Sequence, residues 1–151
     1  IGKRTHQMQN TEIRSDKIFW VDAHSGPIQP IGTWLGALSN ELRNHFRVAI
    51  NDIECHFSIY PPDTHYDKHI DNAKGENNRL FTFIFYLNPD WKPDDSGELV
   101  IYDPHQPLKS LHKISPRAGT FVLFRSDIFY HEVLKSHSPR FAFTGWLRRY
   151  A

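Results

Sequence analysis

Cysteine is almost absent from this chain of 151 residues. Cys55 stands alone, so no internal disulfide and no cysteine-based zinc site can form. A lone thiol fits a reducing compartment. Long apolar runs are missing as well, and none approaches the ~20 residues of a membrane-spanning helix, so no membrane partner is expected. The first ten residues carry Lys3, Arg4 and His6 without an apolar stretch, which excludes a secretory signal there. Charge of one sign is also lacking. The formal net charge of +1 removes the electrostatic case for nucleic acid as a partner. Strands do not alternate with helices, which excludes a doubly wound fold, and no internal repeat is visible. The chain opens on Ile1 rather than Met, so upstream residues, and any targeting signal among them, are expected to be missing from this sequence. The expected location is the cytoplasm, and no oligomer interface is read from the residues.

What is present fits one globular domain over residues 1–151. The chain has the size of a single core, and 39% hydrophobic with 23% charged residues excludes a disordered polymer. Ten prolines argue for many turns and few long helices. Residues 1–13 are polar and aperiodic and are expected to form a flexible arm or lid. Ile18-Phe19-Trp20-Val21 is strand-like. After a Gly/Pro loop, Ile31, Trp34, Leu35, Leu38 and Leu42 fall at helical spacing, with Pro30 suited to the helix start and Trp34 expected in the core. Residues 53–60 alternate cleanly; Cys55 shares the apolar face, and His56, Ser58 and Tyr60 share the other. Residues 80–87 are continuously apolar, as in a strand covered on both faces. Further strands are expected over 98–102, 120–124, 128–134 and 140–147, with an irregular stretch or short strand over 104–116. One helix followed by about seven closely spaced strands predicts a mainly β sandwich or barrel with a supporting helix.

The chemistry concentrates in residues 60–72. Behind a proline turn stand two His-x-Asp pairs, His65-Tyr66-Asp67 and His69-Ile70-Asp71. On an extended strand, residues two apart share a face, so either pair can lean onto one metal ion. Periodicity does not choose between them, because positions four apart also share a face. The bland reading of either is a surface ion pair. His131 stands inside the apolar run Phe129-Tyr130-His131-Glu132-Val133, where an imidazole needs a partner. Two His and one carboxylate form the ligand set of non-haem iron(II) sites. Nine residues beyond His131 comes Arg140. If residues 135–139 form a hairpin turn, Leu134 pairs with Arg140. His131 and Arg140 then lie on neighbouring strands roughly 10 Å apart, a span suited to a small dicarboxylate held at one end by metal and at the other by guanidinium.

The order Tyr-Pro, His-x-Asp, long spacer, His, then Arg resembles the 2-oxoglutarate/Fe(II) dioxygenases. The strings Arg14-Ser15-Asp16-Lys17-Ile18-Phe19-Trp20, His69-Ile70-Asp71-Asn72, Tyr86-Leu87-Asn88-Pro89-Asp90-Trp91, Ser96-Gly97-Glu98-Leu99 and His131-Glu132-Val133 are similar to the prolyl hydroxylases of the hypoxia-inducible-factor type and their bacterial relatives. Ser15 departs from the glycine common there. The resemblance runs from about Arg14 onward and chooses His69/Asp71 over His65/Asp67. It implies a double-stranded β-helix, the jelly roll or cupin-like fold, with His69, Asp71 and His131 as iron ligands. It implies that Arg140 binds the distal carboxylate of 2-oxoglutarate with Tyr86, that Tyr60 and Thr144 line the cosubstrate pocket, and that Trp146, Asp16 and Arg79 shape the substrate side. Fe(II), 2-oxoglutarate and O₂ would be required, with ascorbate as a reductant. The implied reaction is C4 hydroxylation of a prolyl residue in a protein or peptide, releasing succinate and CO₂. Other readings are a related oxygenase acting on a free amino acid or small molecule, a nucleic-acid demethylase of the same superfamily, and a non-catalytic metal-binding jelly-roll module.

Overall fold

The computed structural model describes residues 16–73 and 78–150, so the expected arm over 1–13 and the Ser15 departure lie outside the described residues. Among the described residues, nine strands and one long helix follow in the order β1 (Lys17–Val21), α1 (Gln29–Phe46), β2 (Asp52–Tyr60), β3 (Tyr66–His69), β4 (Arg79–Tyr86), β5 (Leu99–Tyr102), β6 (Ser110–Ile114), β7 (Phe121–Arg125), β8 (His131–Val133) and β9 (Arg140–Arg148). The strands form two sheets, β1-β2-β9-β4-β7 and β3-β8-β5-β6. Every strand pairing in both is antiparallel. This is the jelly-roll architecture expected of the chain. Among the described residues no helix is long and apolar enough to cross a membrane.

Two cores result from the alternation of side chains along the strands of the larger sheet. One face packs on α1, where Leu35 and Leu42 meet Cys55, Phe81, Phe83, Phe143 and Leu147. Pro30 occupies the first turn of α1, where its missing N–H costs nothing, and Arg47 ends the helix in the left-handed region at φ 57°. Trp34 departs from its expected place. It is half-exposed at the sheet margin, its ring edge-on to Phe85 and Phe121. The other face meets the smaller sheet. There Tyr60, Ile84, Tyr86 and Phe124 pack against Leu99, Ile101 and Val133. Gly145 in β9 permits close strand packing: an added Cβ would stand 2.2 Å from the Glu54 carbonyl oxygen and 2.5 Å from the Phe83 ring.

Two expectations about the strands are corrected. Residues 135–139 do not form a hairpin turn and Leu134 does not pair with Arg140, because β8 and β9 belong to different sheets. The connection is bound instead by other loops: Leu134 N–H donates to Glu98, Gly97 N–H to Lys135, Asp63 N–H to Ser136, and Ser136 N–H to Thr64. The chain therefore crosses from one sheet to the other, and His131 and Arg140 belong to opposite walls of the sandwich. The second correction concerns His69-Ile70-Asp71. Only His69 lies on a strand; Asp71 sits in the turn after β3.

Candidate active site

The short strand β3 pairs with β8 so that His69 and His131 are direct cross-strand partners. Such partners point to one face, and the two rings stand 4.2 Å apart between centroids. Asp71 reaches the same point from the turn, with Oδ1 3.4 Å from His69 Nε2 and Oδ2 3.6 Å from His131 Nε2. One ligand atom from each of the three residues lies within 4.8 Å of the others, so the group can hold a metal ion. The tautomers suit this. His69 Nδ1 is 2.7 Å from the Asp67 carbonyl oxygen, and His131 Nδ1 is 3.2 Å from that of Phe129. A carbonyl only accepts, so each Nδ1 carries the proton and each Nε2 presents its lone pair inward. Tyr66 stacks on the His69 ring at 3.8 Å and holds its plane.

Protonation favours the same state. Burial pushes His131 down to about 4, against the opposing pull of the Asp71 carboxylate. Burial by itself would raise Asp71; its contacts with His69, His131 and the Thr82 hydroxyl outweigh it and hold the carboxyl well below the usual range. A neutral imidazole and an ionised carboxylate are the forms that bind a divalent cation. Among the described residues, no soft ligand lines the site. With two nitrogens and one carboxylate on one side, the donor set fits Fe(II) with open positions.

His69, Asp71 and His131 line a cavity between the two sheets. Arg140 lines it as well and is only 2% exposed. Its Nη2 donates to the Tyr86 hydroxyl at 3.1 Å, its Nε has no hydrogen-bond partner, and no carboxylate of the described residues pairs with it. A buried cation in that state calls for an anion. Burial raises Tyr86, although Arg140 opposes this, so the phenol keeps its proton. Its oxygen accepts from Arg140, and its O–H remains a donor toward the same point. Tyr60 is the cross-strand partner of Arg140 in β2, its ring 5.1 Å from the guanidinium. Ile84, Leu99 and Val133 supply apolar wall, and Thr144 completes that end.

Asp16, Arg79 and Trp146 line the cavity too. Asp16 is fully buried in the wall. Arg79 lies flat on the Trp146 ring at 3.5 Å and reaches Glu54 at 3.4 Å. His56, Trp20 and Trp146 form a triangle of rings, with His56 4.8 Å from Trp20 and 5.6 Å from Trp146 and the two indoles 6.3 Å apart. The rival pair stays at the surface: His65 Nε2 and Asp67 Oδ1 are 3.0 Å apart with side chains 39% and 55% exposed. Sequence reasoning missed Thr82, Ser126 and Tyr66. Thr82 was visible as the one polar residue in the apolar run 80–87, at the same parity as Ile84 and Tyr86. Ser126 and Tyr66 carried no such signal.

A family model described as the 2OG-Fe(II) oxygenase superfamily matches residues 55–148. The hypoxia-inducible factor prolyl hydroxylase of Caenorhabditis elegans is 34% identical over 96% of this chain and 21% of its own length. Egl nine homolog 1 of Rattus norvegicus is 29% identical over 89% of this chain and 41% of its own. The chain thus spans well under half of these curated relatives. Among solved structures, a prolyl-4-hydroxylase from Pseudomonas putida superposes with a TM-score of 0.85 at 30% identity, covering 95% of this chain and 76% of that one. A Trichoplax adhaerens prolyl hydroxylase, in complex with a peptide fragment of the hypoxia inducible factor oxygen degradation domain, gives 0.78 at 29% identity over 97% and 69%.

Proposed function

The chain belongs to the 2OG-Fe(II) oxygenase superfamily, and from that premise we propose that it hydroxylates C4 of a prolyl residue in a protein or peptide. The observation that carries the oxygenase reading is Arg140: a buried cation without a carboxylate partner, in the same cavity as the His-Asp-His cluster. A non-catalytic zinc module has no use for such a residue. Proline as the target rests on the names of the similar proteins, and position 4 on that of the Pseudomonas one.

In this reading His69, Asp71 and His131 hold Fe(II). Arg140 binds the distal carboxylate of 2-oxoglutarate through its guanidinium fork, and Tyr86 donates its hydroxyl proton to the same carboxylate. Tyr60 and Thr144 flank the cosubstrate. With 2-oxoglutarate and O₂, iron supplies the oxidising chemistry, in which one oxygen atom enters a substrate C–H bond and 2-oxoglutarate leaves as succinate and CO₂. Ile84, Leu99 and Val133 exclude water around it. Trp146 and Arg79 form the substrate side, and Trp20 and His56 extend it with flat surfaces that suit a pyrrolidine ring. Asp16 anchors the wall there. The chain as given is one catalytic domain, and its buried free thiol suits a reducing, cytoplasmic setting.

The test is succinate formation from 2-oxoglutarate with Fe(II) and ascorbate, in air and without oxygen, with a prolyl peptide, free proline or neither. The expected result is oxygen-dependent succinate accelerated by the peptide, with hydroxyproline found in it by mass spectrometry. Acceleration by free proline alone would refute the peptide substrate. Failure to bind 2-oxoglutarate at all would refute the oxygenase.

A further inference from the structure

The three cluster residues are not held by the same sheet. His69 and His131 belong to the smaller sheet. Asp71 is tied to the larger one. The residue after it donates its N–H to the Ser126 carbonyl at 3.0 Å, and the Asn72 amide donates to the Arg79 carbonyl at 2.7 Å. The Asp71 carboxylate itself receives two donors from that sheet, both on Oδ2: the Thr82 hydroxyl at 2.6 Å from β4, and the Trp146 indole N–H at 3.1 Å from β9. Thr82 and Trp146 are cross-strand partners, so their side chains converge from one face.

Thr82 has one proton, and an ionised carboxylate only accepts. That proton goes to Asp71. The 2.9 Å contact between the Thr82 and Ser126 hydroxyls therefore has Ser126 as donor. Thr82 is 2% exposed and Ser126 fully buried, so no water competes for either hydroxyl. The three groups form a directed chain, Ser126 to Thr82 to Asp71, in which each bond polarises the next. Both of these donors engage Oδ2. Oδ1, on the His69 side, is then the oxygen offered to a metal.

We infer that the Ser126–Thr82 hydroxyl relay, with Trp146, restricts Asp71 to one-oxygen ligation and so keeps a coordination position open. Thr82 and Ser126 are positioning residues in this scheme, since their hydroxyls act on the ligand Asp71 rather than on the metal or a substrate. The inference rests on the reading of His69, Asp71 and His131 as metal ligands.

The experiment uses Co(II) as a spectroscopic substitute and needs no turnover. Wild type, Thr82→Val, Thr82→Ser and Ser126→Ala are titrated with Co(II) by calorimetry and by visible absorption, with thermal melts of the metal-free proteins alongside. Thr82→Val keeps the shape and removes the hydroxyl. It is expected to weaken Co(II) binding about 10-fold or more and to change the ligand-field bands as Oδ2 turns toward the metal. Thr82→Ser restores both affinity and spectrum, and Ser126→Ala shifts them in the same direction by less. A Thr82→Val protein that melts with wild type, binds Co(II) within twofold and keeps its spectrum overturns the relay. If Thr82→Val does not fold, an unchanged Ser126→Ala overturns it. Wild type that takes up no Co(II) overturns the metal reading itself, a distinct result.

Discussion

Removing the Arg140 cation should abolish cosubstrate binding without costing stability, provided its one partner is removed with it. Arg140 is 2% exposed, donates only to Tyr86, and faces no carboxylate among the described residues. Arg140→Met removes an uncompensated buried charge but strands the buried Tyr86 hydroxyl, which costs about 1–3 kcal/mol. Replacing buried ionic groups by apolar ones of similar volume gains about 1–4 kcal/mol, and cavity water solvating the guanidinium favours the low end. The two nearly cancel, so the single variant should lie within about 1 kcal/mol of wild type. Arg140→Met with Tyr86→Phe removes both partners. It should gain about 1–2 kcal/mol, which raises the melting temperature by roughly 3–6 °C for a chain of this size. Binding runs the other way. Losing one charge-assisted bond in Arg140→Lys costs about 1.5–3 kcal/mol, or roughly 10- to 150-fold in 2-oxoglutarate affinity. Tyr86→Phe should lose about 2- to 10-fold on the same scale. Arg140→Met should show no measurable binding. The assays are urea melts without ligand, and calorimetry of 2-oxoglutarate on metal-loaded protein. A double variant more than about 1 kcal/mol less stable than wild type would show a compensating partner for Arg140. Unchanged affinity in Arg140→Met would move the anchor elsewhere.

The two His-x-Asp pairs are separable by single substitutions: His69→Ala should lose oxygen-dependent succinate formation, while His65→Ala, breaking an exposed pair worth under about 1 kcal/mol, should keep it. Equal loss in both would refute the assignment. Cys55, 1% exposed with its Sγ 3.6 Å from the Val21 carbonyl, has its thiol pushed by burial, and then by nearby Asp22, up to about 11. About one molecule in a thousand then carries a thiolate at pH 8, so iodoacetamide should modify it only after unfolding; rapid labelling of the native protein would contradict this burial. The sign for stability follows: the unfolded thiol ionises first, so the fold gives up this contribution as pH rises from the ordinary 9.0 toward 11. Gly145→Ala places a Cβ 2.2 Å from the Glu54 carbonyl in the adjacent strand. It should cost at least about 2 kcal/mol in a urea melt, and a silent substitution would show that the strands part easily.

What the sequence showed and what it hid divide along a physical line. Periodicity reads one strand at a time. It found that Tyr60 shares a face with His56 and Ser58 in β2, because a half-buried strand must alternate. It could not say which strands share a sheet. Residues 135–139 have the composition of a tight turn, and a hairpin there is the local expectation; the chain instead crosses the sandwich, held by loop contacts from residues 63–64 and 97–98 that are distant in sequence. The spacing of His131 and Arg140 therefore matters for a reason other than ladder register: it is the length needed to pass from one wall of the cavity to the other. The short strand β3 was hidden for a related cause. Its four residues, Tyr66-Asp67-Lys68-His69, have no apolar alternation, because this edge strand is set by pairing with β8 and by the stacking of Tyr66 on His69. Thr82 and Ser126 lie on separate strand segments and meet only when β4 and β7 pair. The ligands were legible as chemistry because His and Asp are costly to bury without a purpose. The groups that aim them were not, since a buried hydroxyl is cheap once satisfied and its satisfaction is a tertiary event. A site assembled from two sheets ties its metal affinity to the packing between them, so ligand binding there should raise the cooperative stability of the whole sandwich rather than of one loop.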